Sequence, residues 1–156
     1  MDFPNFFTLV KLATKFRTAV DEAKSRNDFA SDICFNSFPS GCCGDTSCLL
    51  GQYLLENNII SKYVCGEYHY PKNDFTYSHA WLQVDDTIVD ITGDQFKNNA
   101  DILFYDRRVY VGKIDAMHSL FHVTVNNVRD TAPLNMLGDF ASPRLMLLYS
   151  LVRQYL

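Results

Sequence analysis

The sequence has no long apolar run. Its longest apolar stretches fall far short of the ~20 residues that a membrane-crossing helix needs, so no membrane association is expected. Basic residues are the minority among the charged ones, 14 against 18, for a net charge of -4. No stripe of lysine and arginine is available to follow a phosphate backbone, which excludes a nucleic-acid binder of the electrostatic kind. The opening stretch MDFPNFFTLVKLATKF lacks a basic start, a continuous apolar segment and a small-residue cleavage site. No secretory leader is read there, and a cytoplasmic location is expected. Repeats, low-complexity tracts and linker-like stretches are also missing, so residues 1–156 are read as a single domain. Metal-binding spacings are lacking too. There is no C-x2-C pair, Cys43 and Cys48 are separated by four residues, and no calcium loop of the D-x-D-x-D-G type is present. Neither a metal nor a cofactor is expected.

What the chain does have is a globular composition, with 47% hydrophobic and 21% charged residues, enough to bury a core without covalent staples. It also has five cysteines, Cys34, Cys42, Cys43, Cys48 and Cys65, three of them in the segment GCCGDTSCLL. An odd number without a leader favours free thiols. A bridge between the adjacent Cys42 and Cys43 would strain the peptide that joins them.

Apolar residues at three- and four-residue steps predict a helix over Phe6–Lys24. Pro39 and Gly41 mark a turn, after which Leu49, Leu50, Tyr53 and Leu54 share one face of a helix from near Cys43 to about Glu56. SKYVCGEYHY, SHAWLQV and TIVDIT read as strands, the last two joined by a turn at Asp85 and Asp86. DILFY, RRVYVGK and LFHVTV are further strand candidates. SPRLMLLYSLVRQYL reads as a closing helix with Ser142 as N-cap and Pro143 at its first position. The fold class is therefore α+β: helices, then an antiparallel sheet, then a helix.

Cys43 follows a turn and opens a helix, where the partial positive charge of the N-terminus favours a thiolate. Helix starts are uncertain by a residue, and Cys42 remains a rival. Cys34, Cys48 and Cys65 read as small packing residues. A thiol nucleophile needs a base. His79 lies on a strand in which residues 79, 81 and 83 share a face. With a two-residue turn at Asp85 and Asp86, Trp81 faces Asp90, and His79 and Asp90 become diagonal neighbours on that face. A carboxylate there would fix the imidazole tautomer and favour imidazolium. Trp81 can flank the pair. His69 reads as a residue of the surface or of the support around the site, and His118 and His122 as structural ones, one of which could line the cleft. Asp94 and Gln95 are expected to cap the turn after the second hairpin strand, and Asp45 to stabilise the helix start.

These residues resemble a known family. GCCGD is similar to the G-x-C-x-D/E nucleophile motif of the transglutaminase-like superfamily, and SHAWLQVDDTIVDIT to its H-x-W-x-x-V segment and the strand that follows. The order Cys, His, Asp matches, as it does in arylamine N-acetyltransferases of the same papain-like fold. Over residues 34–96 the chain looks like small bacterial members of this superfamily. It departs from them at Gly44, where a bulky residue often follows the cysteine, and in its short His-to-Asp interval. The resemblance implies a papain-like core with Cys43 as nucleophile, His79 as base and Asp90 as orienting carboxylate. It implies a cysteine peptidase, amidase or deamidase acting on peptide or protein amides. An acyltransferase or transglutaminase with an amine acceptor, or a silent papain-like binding module, are the alternatives.

Overall fold

The computed structural model describes residues 5–156; Met1–Pro4, the start of the stretch read for a leader, lie outside the described residues. These residues form three α-helices, α1 (Phe6–Ser25), α2 (Cys43–Glu56) and α3 (Ala141–Arg153). The strands are β1 (Lys62–His69), β2 (Thr76–Val84), β3 (Thr87–Asp90), β4 (Tyr110–Gly112) and β5 (Val128–Asp130). The strands make one antiparallel sheet in the order β4-β3-β2-β1-β5. The α+β class follows. None of the described helices is long and apolar enough to cross a membrane.

Side-chain alternation divides the core in two. Leu82 and Val84 of β2, and Val89 and Ile91 of β3 and its exit, pack with Phe16, Val20, Leu49, Leu54, Leu145 and Val152 of the helices. Val64, Trp81 and Ile88 point to the other face, where Phe96, Met117 and Phe121 cover them. The β2–β3 register pairs Val84 with Thr87 and Leu82 with Val89. That is the two-residue turn at Asp85 and Asp86, with Asp85 in the left-handed region at φ 53°, which Asp tolerates. A slip of one residue would send His79 and Asp90 into the helix-facing core.

Several segments differ from their sequence reading. DILFY is not a strand. Ala100–Ile102 is a 3₁₀ turn, and Leu103 and Phe104 take φ 60° and 49°, which no strand allows. LFHVTV contributes a single bridge, His122 to Glu67, because the chain turns again at Val125–Asn127. The short edge strand β5 was not expected; its three residues, half-buried and exposed, are too few to show alternation. Helix α3 starts earlier than its Ser-Pro signal suggests. Phe140 is the N-cap, and the Ser142 hydroxyl instead accepts a bond from the Leu137 N–H.

Candidate active site

The first turn of α2 begins where the sequence placed it, with Cys42 as N-cap and Cys43 as the first helical residue. Gly41 precedes them at φ 73°, a conformation that glycine adopts without strain. The side chains of the two cysteines diverge. Cys42 is 1% exposed and belongs to the helix-facing core. Burial pushes its thiol up to about 12. Burial also pushes Cys43 upward, yet the hydrogen bond and positive charge of His79, with the backbone N–H of Ala80, outweigh it. The Cys43 thiol therefore titrates below the ordinary thiol value. Cys48 and Cys65 shift upward, chiefly by burial. All five cysteines are free.

Cys43 reaches this position because β3 pairs with β2 only over Leu82–Val84. Ahead of Leu82, β2 has no β3 residue beside it, and α2 packs against β2 there with its thiol on Ala80. Gly44 permits the approach on the other side: a Cβ at that position would lie 3.0 Å from the Tyr63 hydroxyl. This accounts for a glycine at position 44.

His79 is fully buried. Its Nε2 lies 2.8 Å from Asp90 Oδ2, and Nδ1, the nitrogen left over, lies 3.2 Å from the Gln95 amide, on the side of the Cys43 thiol. The diagonal relation read from the hairpin is thus a direct bond. Burial disfavours the His79 cation, but the charge and hydrogen bond of Asp90, with those of Cys43, raise it to about 9. Burial likewise opposes the Asp90 charge, yet two imidazoles and their bonds hold its carboxyl far below the usual range. Asp90 Oδ1 accepts from the Thr92 N–H at 2.8 Å and the Thr92 hydroxyl at 3.1 Å.

Three features of the site go beyond the sequence reading. His118, read as structural with the option that it or His122 lines the cleft, is fully buried and sets its Nε2 3.2 Å from Asp90 Oδ2. Gln95, read as a turn cap, places its amide 3.2 Å from His79 Nδ1 and donates to the Thr92 carbonyl. Asp94, read likewise, is paired with both terminal nitrogens of Arg17. Arg17 is 3% exposed and also donates to the carbonyls of Ile91 and Arg108, so α1 clamps the segment that leaves Asp90. The signal was an arginine on the apolar face of the first helix. Asp45 does sit in the first turn of α2, and it also binds Arg144 at 2.7 Å; the same guanidinium holds Asp32. His69 and His122 are exposed.

Rings surround the pair. Trp81, Phe96 and Phe121 lie with centroids 5.7, 5.1 and 5.6 Å from that of His79. Ligand atoms of His79, Asp90 and His118 fall within 4.8 Å of one another. Both Nε2 atoms, however, point at the same carboxylate oxygen as donors. A cation there would have to displace both protons, so the group is satisfied by its own hydrogen bonds. A hollow of about 240 Å³ is lined by Tyr63, Cys65, Asn126, Asn127 and Arg129; it adjoins the site through Tyr63 at Gly44 and through Cys65, the strand partner of Ala80.

Comparison of the chain with protein-family models, with curated proteins and with solved structures finds no match.

Proposed function

We propose that the protein is a thiol-dependent hydrolase of the transglutaminase-like, papain-like type, a cysteine peptidase, amidase or deamidase that works through an acyl intermediate on Cys43. The observation that carries this reading is the placement of Cys43 as the first residue of α2 beside a fully buried His79 whose Nε2 is bonded to Asp90 at 2.8 Å. The Cys43 thiol is pulled down and the His79 imidazole is pushed up, which favours a thiolate–imidazolium pair at neutral pH. Asp90, bonded to Nε2, stabilises the cation and fixes the ring so that Nδ1 faces sulfur.

In this mechanism the thiolate attacks the carbonyl carbon of an amide. The C–S bond forms as the carbonyl electron pair moves to oxygen. Backbone N–H groups in the first turn of α2, which have no partner within the helix, are available to receive that oxyanion. His79 gives the Nδ1 proton to the departing amine as the C–N bond breaks. Water, deprotonated by His79, then cleaves the thioester and restores the thiolate. An amine in place of water would make the same site an acyltransferase.

The substrate wall is assigned to the segments around β1, β2 and Asp101. Tyr77 donates to Asp101 at 2.7 Å, joining the two, and Phe75, Tyr77, Tyr68 and Phe121 form successive ring contacts at 4.7, 6.5 and 6.2 Å that lead towards His79.

The test is intact-mass and peptide-mapping detection of an adduct after incubation with a peptide library and, separately, with a peptidyl electrophile. A covalent acyl adduct on Cys43, absent from Cys43→Ser, is the expected result. No adduct on Cys43 under either condition, from a folded protein, would mark the fold as a silent binding module.

A further inference from the structure

We propose that His118 is a buried imidazolium that donates from both ring nitrogens, and that it acts as a positioning residue which offsets the charge of Asp90 and so limits how basic His79 becomes.

The inference rests first on hydrogen-bond accounting. His118 Nε2 faces Asp90 Oδ2 at 3.2 Å, and Nδ1 faces Asp115 Oδ1 at 2.7 Å. A neutral imidazole has one nitrogen without a proton. Whichever tautomer formed, that lone pair would oppose a carboxylate oxygen with no water present, since the ring is fully buried. Neither carboxyl is placed to supply the missing proton. Asp90 already accepts from His79 Nε2 and twice from Thr92. Asp115 accepts from the His118 backbone N–H at 2.9 Å and from the Tyr105 hydroxyl at 2.7 Å. Those donors favour the ionised carboxylates.

The second observation is aromatic. The Tyr110 ring lies parallel to His118, 5.2 Å between centroids at 28°, and Trp81 and Tyr105 meet it edge to face at 5.1 and 5.9 Å. A cation over an aromatic face in a desolvated site is favoured by the ring quadrupole. The third is charge balance. With Cys43 and His79 as an ion pair, Asp90 leaves a fully buried negative charge and Asp115 a half-buried one beside it; a cationic His118 between them reduces the net charge from two to one. The groups facing His118 are Asp90 from β3, His79 from β2, Tyr110 from β4, and Tyr105 and Asp115 from the loops on either side of β4.

Asp90 thus stands between two rings, and its pull on the His79 proton is shared. A more basic His79 would hold imidazolium tightly and give its proton to a leaving group less readily. The positioning role rests on the thiol-enzyme reading above; the charge of the ring does not.

The experiment is ¹⁵N NMR of the full chain labelled at histidine, in wild type, His118→Gln and Asp115→Asn. In wild type at pH 7, both ring nitrogens of His118 are expected to show protonated shifts. In His118→Gln, which keeps an amide donor but loses the charge, the midpoint for His79 deprotonation should move upward by about one pH unit. Asp115→Asn removes one of the two carboxylates that hold the cation, so the two ring nitrogens of His118 should keep their protonated shifts only to a lower pH than in wild type; this reads the charge should the glutamine variant not fold. A wild-type His118 with one unprotonated nitrogen overturns the proposal, as does a His79 midpoint that is unchanged or lower in folded His118→Gln. A doubly protonated His118 in a protein that never acylates would defeat the enzyme reading alone.

Discussion

Replacing Asp90 by Asn preserves the shape of the side chain and removes the charge between two imidazoles. Asp90 Oδ2 accepts from both rings, and Oδ1 accepts twice from Thr92. An amide offers one accepting oxygen and one NH2, so on one side donor must meet donor. Each hydrogen bond to a charged partner is worth about 1.5–3 kcal/mol, and breaking a buried charge pair costs about 3–5 kcal/mol; the variant should lose stability in that range. His79 also loses the stronger of the two partners, Asp90 and Cys43, that raise it against burial to about 9 from an ordinary 6.5. Because the His79 value is raised, its contribution is complete below about 6.5 and vanishes as pH rises through about 9. The depressed Asp90 contributes above the ordinary carboxylate value, and that part is lost as pH falls towards its low folded value. On the thiol-enzyme proposal Asp90 is a triad carboxylate, and exchange of such a group for its amide loses about 10⁴-fold in rate, or about 5 kcal/mol. The assay is the pH profile of Cys43 acylation by an activated ester, with urea unfolding and circular dichroism on the same samples. The alkaline limb should move down from about 9 and the plateau should collapse. A folded Asp90→Asn protein with the wild-type rate and limb would refute the reasoning.

The remaining expectations concern single groups. Iodoacetamide near neutral pH should label Cys43 far faster than Cys42, Cys48 or Cys65, whose thiols burial holds up; peptide mapping that finds Cys42 fast and Cys43 inert would move the nucleophile by one residue. Acylation should survive dialysis against a chelator, and a stoichiometric metal lost together with activity would contradict this. Gly44→Ala gains about 1 kcal/mol of helix propensity but meets the Tyr63 hydroxyl; it should stabilise the protein only when combined with Tyr63→Phe, as a double-mutant cycle in urea would read. Arg17→Met leaves Asp94 and two carbonyls without their donor, and should cost about 3–5 kcal/mol in chemical denaturation. Asp94→Asn should weaken the same clamp without moving the pH limb of Cys43 alkylation, since Asp94 does not touch His79.

Local periodicity and hairpin parity made much of this architecture legible. Both bounds of α2 follow from the Pro-Gly turn and the Leu49–Leu54 face. The His79–Asp90 bond follows from a loop of even length, with Val89 and Ile91 turned to the opposite face. What stayed hidden depends on chain segments that meet only in three dimensions. His118 is 28 residues beyond Asp90, in a turn with no period to orient it. Arg17 donates to residues more than 70 positions away, and on a helix its charge reads as solvated. Leu103 and Phe104 carry a strand-forming composition, but the Phe104 N–H bonds back to the Asn99 carbonyl, and this local closure overrides propensity.

The bond from Arg144 to Asp45 has a consequence for biosynthesis. It joins the start of the cysteine helix to a residue 99 positions later, on α3. A nascent chain that has already exposed Cys43 has no guanidinium to fix that first turn until α3 emerges and docks. The first turn that carries Cys43 would gain this brace only after α3 has been made and has docked.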